Sequence, residues 1–210
     1  GGIMTYHTTS GAILRPFNTE PDEAFAKNDC AGDLATYKAL GGIGEELTGY
    51  PLVSIWHDFL LDKRSPRHGN SKDWWYMHWG VFIYCIELWG MIQQAGLLGI
   101  KERGFDFRLE PPEDAQVKLL EWNDDELDGE GVMEWAPYDH PQLGRVEVGG
   151  WRDKYTWRNP PVKLLEEECR RTYRFALKLA EALPLLMIRK IHQQRIGEDL
   201  YRLEVEVANE

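Results

Sequence analysis

HGNSKDWWYMHWGVFIYCIELWG, residues 68–90, is the stretch on which the reading of this 210-residue chain turns. Residues 81–88 form a short apolar and aromatic run of the length expected for a buried strand. Glu87 stands near its end, just before Trp89 and Gly90. A carboxylate at the C-terminal end of a buried strand is costly to desolvate unless a charged or hydrogen-bonding group faces it. Glu87 is therefore either half of a buried ion pair or a catalytic acid/base.

Working outward, residues 62–72 (DKRSPRHGNSK) are polar, contain Pro66 and Gly69, and read as an exposed loop rimming a site in front of the Glu87 strand. Residues 3–8 alternate as a strand leading to His7, and residues 12–15 resume extended structure before Pro16. Residues 33–40 read as a helix stopped by Gly41 and Gly42, with a further turn over 43–47. TGYP marks a turn, and residues 52–59 read as the next strand. On such a strand the adjacent His57 and Asp58 point to opposite faces, so they cannot both ligate a metal. Prolines 111 and 112 break the chain, and residues 115–122 have helical spacing. NDDELDGEG (123–131) reads as a solvated acidic loop; it resembles a calcium loop only superficially, because Trp135 falls where the closing ligand belongs. HPQLG (140–144) is a turn before a strand at 145–148. RNPP announces a helix, with Asn159 as cap and Pro160 in the first helical position. Its apolar stripe is read from Leu165, Cys169, Tyr173, Ala176, Leu179, Ala180 and Leu183. Residues 199–208 alternate strictly and look like the first strand of a further β-rich module. The organisation expected is thus residues 1–187 as one unit and 188–210 as a linker and the start of another.

GNSKDW followed by Tyr76, Gly80 and IEL is similar to the last active-site segment of the zinc carboxypeptidases of the carboxypeptidase A type, in its bacterial branch. GGIMTYHTTSGAILRP (1–16) resembles the strand of that family that carries the third zinc ligand. The resemblance spans Gly2 to about Leu186. It implies an α/β fold, the C-terminal half of a carboxypeptidase-like mixed β-sheet flanked by helices. It implies His7 as a ligand of one zinc ion and Glu87 as the general base of an exopeptidase that removes C-terminal residues of peptides or proteins. Zinc in such a site lowers the pKa of water and polarises the scissile carbonyl, while the carboxylate shuttles the proton. The family's other two ligands, an His-x-x-Glu pair, and its carboxylate-binding Arg and Asn-Arg residues lie upstream of this histidine. None stands before His7 here. The chain is accordingly expected to be part of a longer polypeptide that supplies the remaining ligands, and to be inactive alone. The family's loop tyrosine also has no counterpart; Ser65, Pro66, Arg67 and His68 occupy that place. The residue before the Asp-Trp pair lies in the family's specificity pocket and is Lys72, which implies preference for an acidic C-terminal side chain if the lysine is buried rather than solvated.

Composition narrows the partners. The formal net charge is −11, with acidic residues spread along the chain, which argues against nucleic acid or an anionic membrane surface. No window approaches ~20 uninterrupted apolar residues, so no membrane insertion is expected. No signal peptide is visible, but the apparent missing N-terminus leaves the compartment open. Three cysteines without CxxC spacing make neither a disulfide framework nor a zinc knuckle, and Cys85 reads as a core residue. His68, His78 and His140 do not rival His7 as ligands. Two alternatives from another class stand beside the enzyme: a catalytically inactive relative kept for binding, and a glycan-binding or peptide-binding module. The second would show an exposed row of tryptophans, whereas Trp74, Trp75, Trp79 and Trp89 read as core walls around the Glu87 strand.

Overall fold

A computed structural model describes residues 1–28, 30–60, 62–97 and 111–209. Four strands, β1 (Gly2–Thr8), β2 (Ala12–Arg15), β3 (Leu52–Ser54) and β4 (Phe82–Leu88), form one mixed sheet in the order β1-β4-β2-β3. Strand β4 runs parallel to β1 and antiparallel to β2, and β3 runs parallel to β2. The helices are α1 (Glu23–Lys27), α2 (Ala31–Thr48), α3 (Ser71–Trp79), α4 (Met91–Gln94), α5 (Glu113–Leu127) and α6 (Val162–Glu181). Two separate hairpins complete the described residues: β5 (Val132–His140) with β6 (Gly144–Trp151), and β7 (Leu186–Arg195) with β8 (Tyr201–Asn209). The class is mixed α/β. No described helix is long and apolar enough to cross a membrane.

The two-residue period of the strands divides the sheet into two faces. Ile13, Tyr84 and Ile86 face helices α2 and α6, where Phe175 meets Tyr84 at 5.6 Å between ring centres. Leu14, Cys85 and Glu87 point to the other face. Helix α6 forms where its amphipathic pattern predicts, but its buried residues are Glu168, Thr172, Phe175 and Leu179. The expected stripe is thus rotated by about one residue; Leu165 and Tyr173 are exposed. Two polar residues occupy the inner face because each has a partner there: Glu168 bonds Tyr50 and Arg171, and the Thr172 hydroxyl donates to the Glu168 carbonyl at 2.9 Å.

Several local expectations give way to packing. Helix α2 does not stop at Gly41 and Gly42 but runs to Thr48, and Gly49 (φ 73°) ends it. Its glycines serve close approach: a Cβ on Gly41 would stand 2.5 Å from Leu52, and one on Gly44 2.7 Å from Ile13 and 2.8 Å from Phe175. The strand expected over 52–59 ends at Ser54. A wide helical turn follows, closed by Leu60 N–H donating to the Ile55 carbonyl at 2.9 Å. His57 and Asp58 therefore lie on this turn and not on a strand. The loop expected over 62–72 ends at Asn70, whose side chain caps α3 by accepting from Lys72 N–H at 2.9 Å.

Asn159 does not cap α6; its amide donates to the Lys154 carbonyl, and Pro161 precedes the helix. Most of the acidic loop expected at 123–131 is the end of α5, because buried Asn123 accepts from Gly131 N–H at 2.7 Å and folds the chain back there. Trp89 is buried, but Trp74 and Trp79 are 48% and 65% exposed, so they are not core walls. Residues 188–195, expected to be linker, belong to strand β7, which begins at Leu186 and pairs with β8. Readings that fall on residues 98–110 lie outside the described residues.

Candidate active site

Parallel pairing of β1 with β4 makes His7 and Glu87 register partners. Both sit one residue before the C-terminal ends of neighbouring strands, and both side chains emerge on the same face. His7 Nδ1 and Glu87 Oε2 are 3.1 Å apart. The Glu87 residue is 8% exposed, while the His7 side chain is 71% exposed. Thr5, Leu14 and Cys85 share this face by the same alternation. Together they floor a cavity of about 630 Å³, within the range of small-molecule sites.

The strand ends are tied together just beyond the pair. The Thr9 hydroxyl donates to the Trp89 carbonyl. Trp89 N–H donates to the Tyr50 hydroxyl at 2.8 Å, and its indole N–H to the Thr156 carbonyl at 2.6 Å. Trp89 holds a left-handed backbone, φ 65°, two residues after Glu87. For a bulky residue that conformation is strained and persists only when surroundings over-determine it. Behind it, Glu168 bonds Tyr50 and Arg171, and the Arg171 guanidinium lies 4.6 Å over the Tyr50 ring. Burial, with the Glu168 charge beside it, pushes the Tyr50 phenol well above its usual range.

Helix α3 and the segment after β2 supply the rest of the wall. Lys72, in the first turn of α3, is 6% exposed and borders the cavity. Asp73 accepts the Asn18 backbone N–H with both oxygens, at 3.2 and 2.9 Å. Burial raises the Asp73 carboxyl pKa, with that N–H and the Lys72 charge pulling the other way. The segment carrying Asn18 is fixed by a bidentate pair, Arg15 to Asp22, at 2.8 Å for each bond. Burial also raises the Cys85 thiol, so it stays protonated and is a poor nucleophile despite its place on the floor.

His7, Glu87 and Lys72 thus border one cavity. Of the other histidines, His57 Nε2 accepts Asp22 N–H at 3.2 Å, and His140 Nδ1 accepts two N–H groups of its own turn. Asn18 is a polar cavity residue that the sequence did not single out. No motif marks it, and only the packing of the 16–22 segment against α3 brings it there. An exposed imidazole paired with a carboxylate in a cavity of mixed polar and apolar lining fits one ligand of a zinc site. Among the described residues no group of three His, Cys, Asp or Glu side chains converges on a metal position. No protein-family model matches the chain, and neither a curated protein nor a solved structure does.

Proposed function

We propose that the polypeptide carrying this chain is a zinc-dependent exopeptidase that removes C-terminal residues, and that residues 1–187 are the C-terminal part of its catalytic domain. The observation that carries the reading is the His7–Glu87 pair, 80 residues apart in sequence and 3.1 Å apart on the floor of one cavity. The mixed sheet with both residues at parallel strand ends agrees with a carboxypeptidase-like half-domain, because strand ends of this kind commonly form ligand sites. His7 would hold the metal through a ring nitrogen, and the remaining ligands would come from outside residues 1–210. Zinc, when bound, supplies Lewis acidity towards water and the scissile carbonyl. Glu87 takes the proton of the attacking water on its carboxylate and returns it to the departing amine. Lys72 faces the substrate side chain. Hairpin β7–β8, whose Ile188, Leu203 and Val205 are exposed, belongs to a further β-rich unit.

The reading is tested by measuring zinc content and release of C-terminal residues from blocked dipeptides by the longer natural polypeptide. One zinc per chain with measurable release supports it; absence of both in a folded preparation sinks it. A second reading, glycan binding, draws on exposed Trp74 and Trp79. Their rings are 6.4 Å apart and inclined at 48°, which makes a poor flat platform, so this reading ranks lower.

A further inference from the structure

A second cavity, of about 560 Å³, opens on the α6 side of the sheet. Among the described residues Tyr6 alone borders both it and the His7–Glu87 cavity. Its walls are apolar and aromatic: Tyr6 and Leu88 from the strand ends, Tyr155 from the segment before α6, and Val162, Leu165 and Tyr173 from α6. Most of these stand open to solvent; Val162 is 82% exposed, Tyr173 60% and Tyr155 57%. Single exposed apolar side chains need no explanation, but these line one hollow of ligand size.

Two charged side chains border the same cavity, and only one of them has its charge to spare. Glu168 is 3% exposed and bonds Tyr50 and Arg171, so its carboxylate is compensated. Lys154 is exposed, and among the described residues its ammonium makes no ion pair; it lies 5.2 Å from the centre of the Tyr155 ring. The adjacent Asp153 is taken by Arg158, 2.8 Å away.

The cavity thus offers apolar surface with a single positive charge at its edge, and complementarity defines what fits it. A neutral apolar molecule leaves the charge unused, and a cation is repelled by it. A dianion brings a second negative charge, without a partner, onto a chain of net charge −11. That net charge opposes any anion at long range. Salt screens it beyond about 8 Å at ~0.15 M, whereas contact with Lys154 is closer than that.

We infer that this cavity is a second ligand site, taking a small amphipathic monocarboxylate. Its apolar body lies against Leu165 and the tyrosines, and its carboxylate meets Lys154. The inference stands apart from the exopeptidase reading, because neither His7 nor Glu87 borders this cavity.

The test is binding of 4-phenylbutyrate, 4-phenylbutanol and 4-phenylbutylammonium to the 210-residue chain, by ligand-observed NMR titration at pH 7 in about 0.15 M salt. The carboxylate is expected to bind about three- to five-fold tighter than the alcohol, the size of a solvent-exposed ion pair, with the ammonium weakest. Lys154→Met should bring carboxylate and alcohol level, and Lys154→Glu should make the ammonium bind tighter than the carboxylate. Lys154 is exposed, so neither change should move the melting temperature. Leu165→Ala combined with Tyr173→Ala should weaken all three at least ten-fold; both positions are exposed on α6, where alanine keeps the helix. His7→Ala should leave all three unchanged. No binding of any probe, equal binding of carboxylate and ammonium, or an unchanged order in Lys154→Glu overturns the inference. So does weakening by His7→Ala but not by the Leu165 and Tyr173 changes, which would put the probes in the other cavity.

Discussion

His7 Nδ1 and Glu87 Oε2 are direct neighbours, 3.1 Å apart on register-paired parallel strands. The imidazole is largely exposed and Glu87, though itself 8% exposed, borders the cavity, so solvent can take the place of the imidazole when it is removed; solvent-screened pairs are worth roughly 0–1 kcal/mol. His7→Ala should therefore change the unfolding free energy by less than about 1 kcal/mol in urea titration. A loss of several kcal/mol would make the pair a structural tie.

The buried knot behind the strand ends behaves differently. Tyr50→Phe removes the acceptor of Trp89 N–H and of an Arg171 N–H, a bond of 2.9 Å. An orphaned buried donor costs about 1–3 kcal/mol. Combined with Glu168→Gln in a double-mutant cycle, the two changes should couple by about 0.5–3 kcal/mol. Strict additivity would show that the network is not a unit.

Gly44 lies where α2, β2 and α6 meet, and an added methyl would stand 2.7 Å from Ile13 and 2.8 Å from Phe175. Alanine has the better helix propensity, so an exposed site would gain stability from Gly44→Ala. Here overpacking should win, with a loss of about 1–3 kcal/mol read from chemical denaturation.

Burial pushes Asp22 up, but its hydrogen bonds to Arg15, with the Arg15, His57 and Lys38 charges, hold its carboxyl below the ordinary value. A depressed carboxylate stabilises the fold fully above its unfolded pKa, about 4, and loses that contribution as pH falls through the lower folded value. The stability gap between the wild type and Asp22→Asn should thus be constant from about pH 7 to 5 and shrink below about pH 4. A gap that widens on acidification contradicts this sign.

The parts legible in the sequence are those with strong local patterns. The apolar run before Glu87 is β4, the alternation before His7 is β1, and the long amphipathic stretch is α6. Glycine misled at Gly41 and Gly42, because a residue that ends helices also lets them approach closely; Leu52 against Gly41 settles which role applies. The inner face of α6 has no apolar signal at Glu168 and Thr172, which are polar; Glu168 is buried there with Tyr50, 118 residues away, as a partner, and Thr172 by bonding back to the Glu168 carbonyl. Strand β5 carries no clean alternation in the sequence, since Pro137 and Asp139 interrupt it, and pairing with β6 forms it instead. Asn18 had no local signal. Its burial depends on Asp73, 55 residues away, accepting its N–H.

In the proposed reading Glu87 moves the proton in a zinc-dependent cleavage, and Glu87→Gln in the zinc-loaded full-length polypeptide tests that role most directly. The substitution preserves shape and removes the base, so zinc content should stay near one per chain while kcat for C-terminal release falls by about 10²–10⁴. Wild-type turnover by that variant, with zinc retained, would contradict the account.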